Sequence, residues 1–79
     1  MATLKSAERV GSRSICYQVG RRIAHFRDGK GWSQRMLADH AGIDHSHLAL
    51  LELGQKEAGL LILQKISEAL EVPVWELLK

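Results

Sequence analysis

The segment GIDHSHLALLELG, Gly42 to Gly54, decides the fold, because it places one short helix between two glycines. Asp44 is positioned to cap this helix, since its carboxylate accepts a free backbone N–H and its charge suits the positive end of the helix dipole. Gly54 then provides a left-handed stop. Helical periodicity turns Leu48 and Leu51 to one side, which we expect to be buried.

A second short helix precedes this segment. Ser33 is a capping residue for it, Gly42 ends it, and Leu37, Ala38 and Ala41 supply a small apolar face. The glycine lets the chain turn sharply, and Ile43 is expected to fill the angle between the two helices. Two short helices joined in this way form the helix-turn-helix unit, whose second helix is held out to enter the major groove of DNA.

Apolar periodicity predicts three further helices around this unit. The first runs from Ser14 to about Asp28, and the fourth follows the loop Gly54–Gly59. A short fifth helix, 74–79, follows Pro73, which is favourable at the first turn of a helix. The predicted buried stripes are Ile15, Val19, Ile23 and Phe26 in the first helix and Leu60, Leu63, Ile66 and Leu70 in the fourth.

The size of the chain allows one domain. It has 79 residues, of which 46% are hydrophobic, and no segment shows the sustained alternation of a strand. We therefore predict an all-α, compact five-helix domain over residues 14–79, with the helix-turn-helix formed by helices two and three. Residues 1–13 are polar and weakly patterned, and are predicted to form an N-terminal arm or extension.

Composition limits the functions that the chain can have. The single cysteine, Cys16, cannot form an intrachain disulfide, and no apolar run approaches the ~20 residues of a membrane span. We therefore expect a cytoplasmic protein with no membrane partner. His45 and His47 lie on different sides of one helix, so we expect no metal site. No nucleophile and base form a recognisable pair, and we predict neither an enzyme nor a cofactor.

Charge is divided unevenly along the chain. Residues 1–35 contain eight Lys or Arg against two Asp or Glu, whereas residues 36–79 contain three Lys against seven Asp or Glu. The basic half favours an anionic partner, although an ordinary solvated surface is the alternative that charge alone leaves open.

Four segments together resemble the Xre/Cro-type helix-turn-helix regulators, the family that includes phage repressors. They are GRRIAHFRDGKGWSQ (20–34), MLADHAGID (36–44), LLELG (50–54) and LLILQKISEALEVPVWELL (60–78). Each segment is weak evidence by itself, but their order and spacing are specific. The resemblance covers about residues 17–79, and it implies a repressor-like fold and the binding of double-stranded DNA.

The resemblance also implies roles for particular residues. Contacts with DNA phosphates are expected from Arg27, Gln34, Arg35 and Lys56. The first turn of helix two suits this role, because free N–H groups and the helix dipole both favour an anion. The base-facing positions map onto His45, Ser46, Ala49 and Leu50. Arg27 and Glu52 occupy positions that pair across helices one and three, so we predict a partly buried ion pair that fixes the angle of helix three.

The base-facing positions depart from the usual polar set of the family. The segment between Gly42 and Gly54 contains no Lys, Arg, Asn or Gln, so no bidentate contact with guanine or adenine is available from it. One interpretation is weak reading through Ser46, His45 and apolar contacts with thymine methyl groups. The alternative is a protein-interaction module, in which Ala49, Leu50 and Leu53 form an apolar docking strip.

The resemblance extends to assembly, because the last helix of the family often forms a twofold contact. Trp75 and Leu78 are the residues expected at that interface, and a homodimer would read two half-sites. The alternative is that Trp75 closes the core of a monomer. We therefore predict a homodimeric transcriptional regulator, and the residues do not choose between a repressor, a restriction controller and an antitoxin.

Overall fold

The computed structural model describes the main chain of residues 4–79 and the side chains of residues 15–79. The described chain forms four α-helices, Leu4–Gly29 (α1), Gln34–Ala41 (α2), His45–Glu52 (α3) and Leu60–Leu70 (α4), followed by a 3-10 helix, Val74–Leu78. Residues 4–79 contain no strand, so the prediction of an all-α fold is confirmed.

Two predicted elements need correction, one in helix type and one in its start. The fifth element is a 3-10 helix and not an α-helix, and its first bond runs from the N–H of Glu76 to the carbonyl of Pro73. Its five residues exceed the roughly three or four over which this tighter helix usually extends. In addition, α1 begins at Leu4 and not near Ser14. The division of the chain into an arm and a domain at residue 14 remains a prediction.

The turn between α2 and α3 forms as its residues dictate. Gly42 takes a left-handed conformation with φ 70°, and the N–H of Ile43 bonds to the carbonyl of Ala38 at 3.0 Å. The N–H of His47 then donates to the carboxylate of Asp44 at 3.0 Å, which caps α3. These contacts are local, and they hold α3 at a fixed angle to α2.

The core lies between the first two helices, the inner face of α3 and the last two elements. Helix α1 packs against α3 and the 3-10 helix, while α2 packs against α3 and α4. The largest fully buried side chains are Ile23, Leu37, Leu48, Ile66 and Leu77. Within the described residues, no helix combines the length and the apolar character that crossing a membrane would require.

Both predicted apolar stripes extend beyond the core. Ile15, the first residue of the α1 stripe, is 56% exposed, and Leu60, the first residue of the α4 stripe, is 82% exposed. Periodicity correctly gave the face of each helix, but the neighbouring elements do not reach these two residues. An apolar surface is therefore left at one end of the domain.

Candidate nucleic-acid interface

Two glycines let α1 approach α3 closely. A Cβ atom on Gly20 would collide with the carbonyl of Leu51 and would lie 2.7 Å from that of Glu52. A Cβ on Gly54 would lie 2.8 Å from the Cα of Tyr17, and Gly54 has a φ of 75°. The backbone of α3 therefore rests directly on α1, with no side chain between them.

A polar network fixes the end of α3 to α1 and to the start of α2. Arg27 forms a bidentate ion pair with Glu52, with its Nε 2.7 Å and its Nη2 2.9 Å from the carboxylate oxygens. The Nη1 of Arg27 donates to the carbonyl of Trp32 at 2.8 Å. The side chain of Gln34 also donates to Glu52, at 2.9 Å. Three helices thus share one buried carboxylate, since Glu52 is only 4% exposed.

The same network limits which side chains are free to bind phosphate. The hydrogen bonds that Arg27 donates to Glu52, together with the negative charges of Glu52 and Asp28, raise the pKa of Arg27 above its ordinary value despite its partial burial. Arg27 therefore stays charged, but its donors point at the protein, and this geometry gives no support to the phosphate role predicted for it. The amide of Gln34 is likewise occupied, which leaves its backbone N–H at the start of α2.

The outer face of α3 is the side turned away from the buried residues Leu48 and Leu51. His45 and Ser46 are exposed, Ala49 is half-buried, and Leu50 is 37% exposed. Leu53, which follows the helix, is 61% exposed. Three of the four predicted base-facing residues are thus accessible, and the fourth, Ala49, is partly so.

Two exposed cations flank α3 along the chain. Arg35 lies in the first turn of α2, and Lys56 lies in the loop that follows α3. Ser33 caps α2 through its hydroxyl, which accepts the N–H of Met36 at 3.1 Å. A helix start with free N–H groups next to an exposed arginine is a suitable environment for an anion.

Two contacts near the site were not predicted from the sequence. Arg22 bonds to both the carbonyl and the carboxylate of Glu76, each at 3.0 Å, and so joins the 3-10 helix to α1. Trp32 stacks on His40 with 4.2 Å between ring centres and an interplanar angle of 3°. No local pattern signals either contact, because the partners are brought together only by the fold.

The two residues predicted for a twofold contact are both accessible. Trp75 is 57% and Leu78 is 54% exposed, so Trp75 does not close the core of the monomer. Leu77, between them, is fully buried and anchors the 3-10 helix.

Comparison with known proteins identifies the class to which this fold and surface belong. The helix-turn-helix family model matches residues 23–77, and the chain belongs to that family. The resemblance to Xre/Cro-type regulators is thereby confirmed. Over 61 residues the chain is 38% identical to the HTH-type transcriptional regulator SinR of Bacillus subtilis, a match that covers 76% of this chain and 55% of SinR. The chain therefore spans about half the length of this curated relative.

Solved structures of two regulators are similar to this one. The restriction-modification controller protein C.AhdI from Aeromonas hydrophila superposes with a TM-score of 0.77 and 34% identity, covering 78% of this chain and 94% of that one. The clp gene regulator ClgR from Corynebacterium glutamicum gives a TM-score of 0.76 and 30% identity, covering 81% of this chain and 83% of that one.

Proposed function

We propose that this protein is a DNA-binding transcriptional regulator that acts as a homodimer and places α3 in the major groove. The observation that carries the proposal is the position of α3. Its inner side is fixed to α1 and α2 through Glu52, while His45, Ser46 and Leu50 face outward. The three relatives described above are a transcriptional regulator, a restriction-modification controller and a clp gene regulator, which supports the same activity.

Most of the affinity is proposed to come from phosphates. Arg35 and Lys56 provide positively charged side chains that bind DNA phosphates. The backbone N–H groups of Gln34 and Arg35, at the start of α2, can donate hydrogen bonds to a phosphate as well. Because each lysine or arginine that neutralises a phosphate releases counterions, the affinity should fall steeply with salt.

Base reading is proposed to be weak. Ser46 and His45 can form single hydrogen bonds to base edges, and Ala49 and Leu50 can contact a thymine methyl group. Without a bidentate side chain, each copy discriminates poorly between bases. Two copies on two half-sites would combine these small differences, with Trp75 and Leu78 in the contact between the copies.

A second function is favoured by one observation, the exposure of Leu50 and Leu53 on the outer side of α3. In this alternative, these residues and Ala49 bind a protein. Leu50→Ala separates the two functions, because a protein-interaction module would lose its partner while its weak DNA affinity stayed intact.

Fluorescence anisotropy tests the DNA proposal directly. Binding is measured over a salt series on duplexes from the source genome and on random duplexes. Arg35→Ala or Lys56→Ala should lower the affinity for all sequences and reduce the salt slope by about one. Lys65→Ala removes an exposed lysine from α4 and should change neither the affinity nor the salt slope. If the wild-type protein does not bind at low salt, the DNA proposal is wrong.

A further inference from the structure

An apolar groove lies where five parts of the fold meet. It has a volume of about 190 Å³ and is lined by side chains from α1, the end of α3, the loop after α3, α4 and the 3-10 helix. Its apolar lining includes Ile15, Cys16, Val19, Ala58, Leu63 and Leu78. Lys56 and Glu57 also line it, and both are exposed. Their opposite charges leave the lining without a net charge that would oppose a second copy, and the exposed Lys56 remains available to a phosphate.

The two uncovered stripe residues belong to this groove or extend it. Ile15 lines the groove and is 56% exposed. Leu60 lies one helical turn before the groove residue Leu63 and on the same face of α4, so it continues the apolar surface. It is 82% exposed, a costly position for an apolar side chain with no cover.

The 3-10 helix continues the same surface. Trp75 and Leu78 are three residues apart, and side chains with this spacing eclipse each other in a 3-10 helix. Because Leu78 lines the groove, Trp75 lies beside it on the same edge, and both are more than half exposed. The groove is thus continuous with the pair of residues proposed for the twofold contact.

We infer that a second copy of this chain covers the groove, so that the dimer contact includes Ile15 of α1 and Leu60 of α4 as well as the 3-10 helix. This inference rests on the proposed homodimer and extends its interface to two more helices. A stable contact removes about 800 Å² from each partner, and Trp75 and Leu78 alone cannot provide that area. An apolar centre with charges at its border is also the usual composition of such a contact.

Analytical sedimentation tests whether the chain forms a dimer through this groove. The wild-type protein should change from monomer to dimer as its concentration rises. Ile15→Glu and Leu60→Glu should each shift this transition to at least about tenfold higher concentration, because a carboxylate would be desolvated in the contact. Met36→Glu places the same charge on an exposed apolar residue of α2 and should leave the transition unchanged. Circular dichroism shows whether each variant keeps its helices.

Cys16 provides a second measurement that does not need a substitution. It lines the groove, so the second copy would cover its thiol in the dimer. At a concentration where only about a tenth of the chains remain monomeric, its reaction with N-ethylmaleimide should therefore be about tenfold slower. A monomer at all concentrations would overturn both this inference and the homodimer, while the DNA proposal would be judged separately by anisotropy. If the protein forms a dimer but Cys16 reacts at the monomer rate, and Ile15→Glu and Leu60→Glu dimerise like the wild type, then the groove is not part of the contact. Only the extended interface would then be wrong.

Discussion

Two ion pairs join the C-terminal end of α1 to another helix, and they differ chiefly in burial. The Arg27–Glu52 pair joins α1 to the end of α3, and its side chains are 14% and 5% exposed. The Lys30–Glu71 pair, at the end of α4, has a similar distance of 2.9 Å but exposures of 28% and 79%. Water screens the second pair and competes for its hydrogen bonds, so distance alone does not indicate what a pair contributes.

The buried pair also takes part in more hydrogen bonds than the exposed pair. Glu52 accepts from both Arg27 and Gln34, and Arg27 donates to Trp32 as well. Loss of one partner leaves several desolvated groups without hydrogen bonds, whereas loss of Lys30 or Glu71 leaves a group that water can reach. The first pair is therefore expected to specify the position of α3, and the second to make only a minor contribution.

The largest expected effect is that of Glu52→Ala. It strands the charge of Arg27 and should lower the free energy of unfolding by about 3–5 kcal/mol, measured by urea denaturation. The double variant Arg27→Met with Glu52→Leu removes both charges and should recover part of this loss. A denaturation midpoint equal to that of the wild type in Glu52→Ala would show that the network does not hold α3.

A smaller effect is expected from Gly20→Ala, which tests whether backbone contact also fixes α3. Helix propensity favours alanine in α1, but the new Cβ would collide with the carbonyls of Leu51 and Glu52. The substitution should therefore cost about 1–3 kcal/mol in the same denaturation experiment. Gly29→Ala is the matched control, because a Cβ there meets nothing within 4 Å. Equal stability of the two variants would argue against a close approach.

Features that depend on neighbouring residues could be predicted from the sequence. Ser33, Gly42 and Asp44 act on their immediate neighbours, and the helix-turn-helix unit was predicted correctly from them and from the left-handed Gly54. The fold class follows from the same local signals and from apolar periodicity.

Features that depend on distant partners were not predictable in this way. Gln34 was predicted to contact a phosphate, and no local pattern indicated that the fold brings its side-chain amide to Glu52. Periodicity placed Ile15 and Leu60 on the inner faces of their helices, yet it carries no information on where the neighbouring elements end. The family resemblance indicated that Arg27 and Glu52 pair. The contact between Arg22 and Glu76, which are 54 residues apart, was indicated neither by the resemblance nor by a local pattern.

The smallest expected effect concerns Glu71 and sharpens the comparison of the two pairs. The hydrogen bond from Lys30, with its positive charge, lowers the pKa of Glu71 below its ordinary value. A lowered pKa means that the contribution to stability is present above the ordinary carboxyl pKa and is lost as the pH falls through the lowered value. Glu71→Gln should therefore have a slightly lower Tm than the wild type at pH 7, and this difference should disappear in acid.

Glu71→Gly separates the charge of this residue from its backbone conformation. Glu71 ends α4 with a φ of 61°, a left-handed conformation that glycine adopts with less strain. The glycine variant loses the ion pair but relieves this strain, so calorimetry should show a Tm a few degrees above that of Glu71→Gln. If Glu71→Gln instead destabilised the protein as much as Glu52→Ala does, burial would not be what distinguishes the two ion pairs.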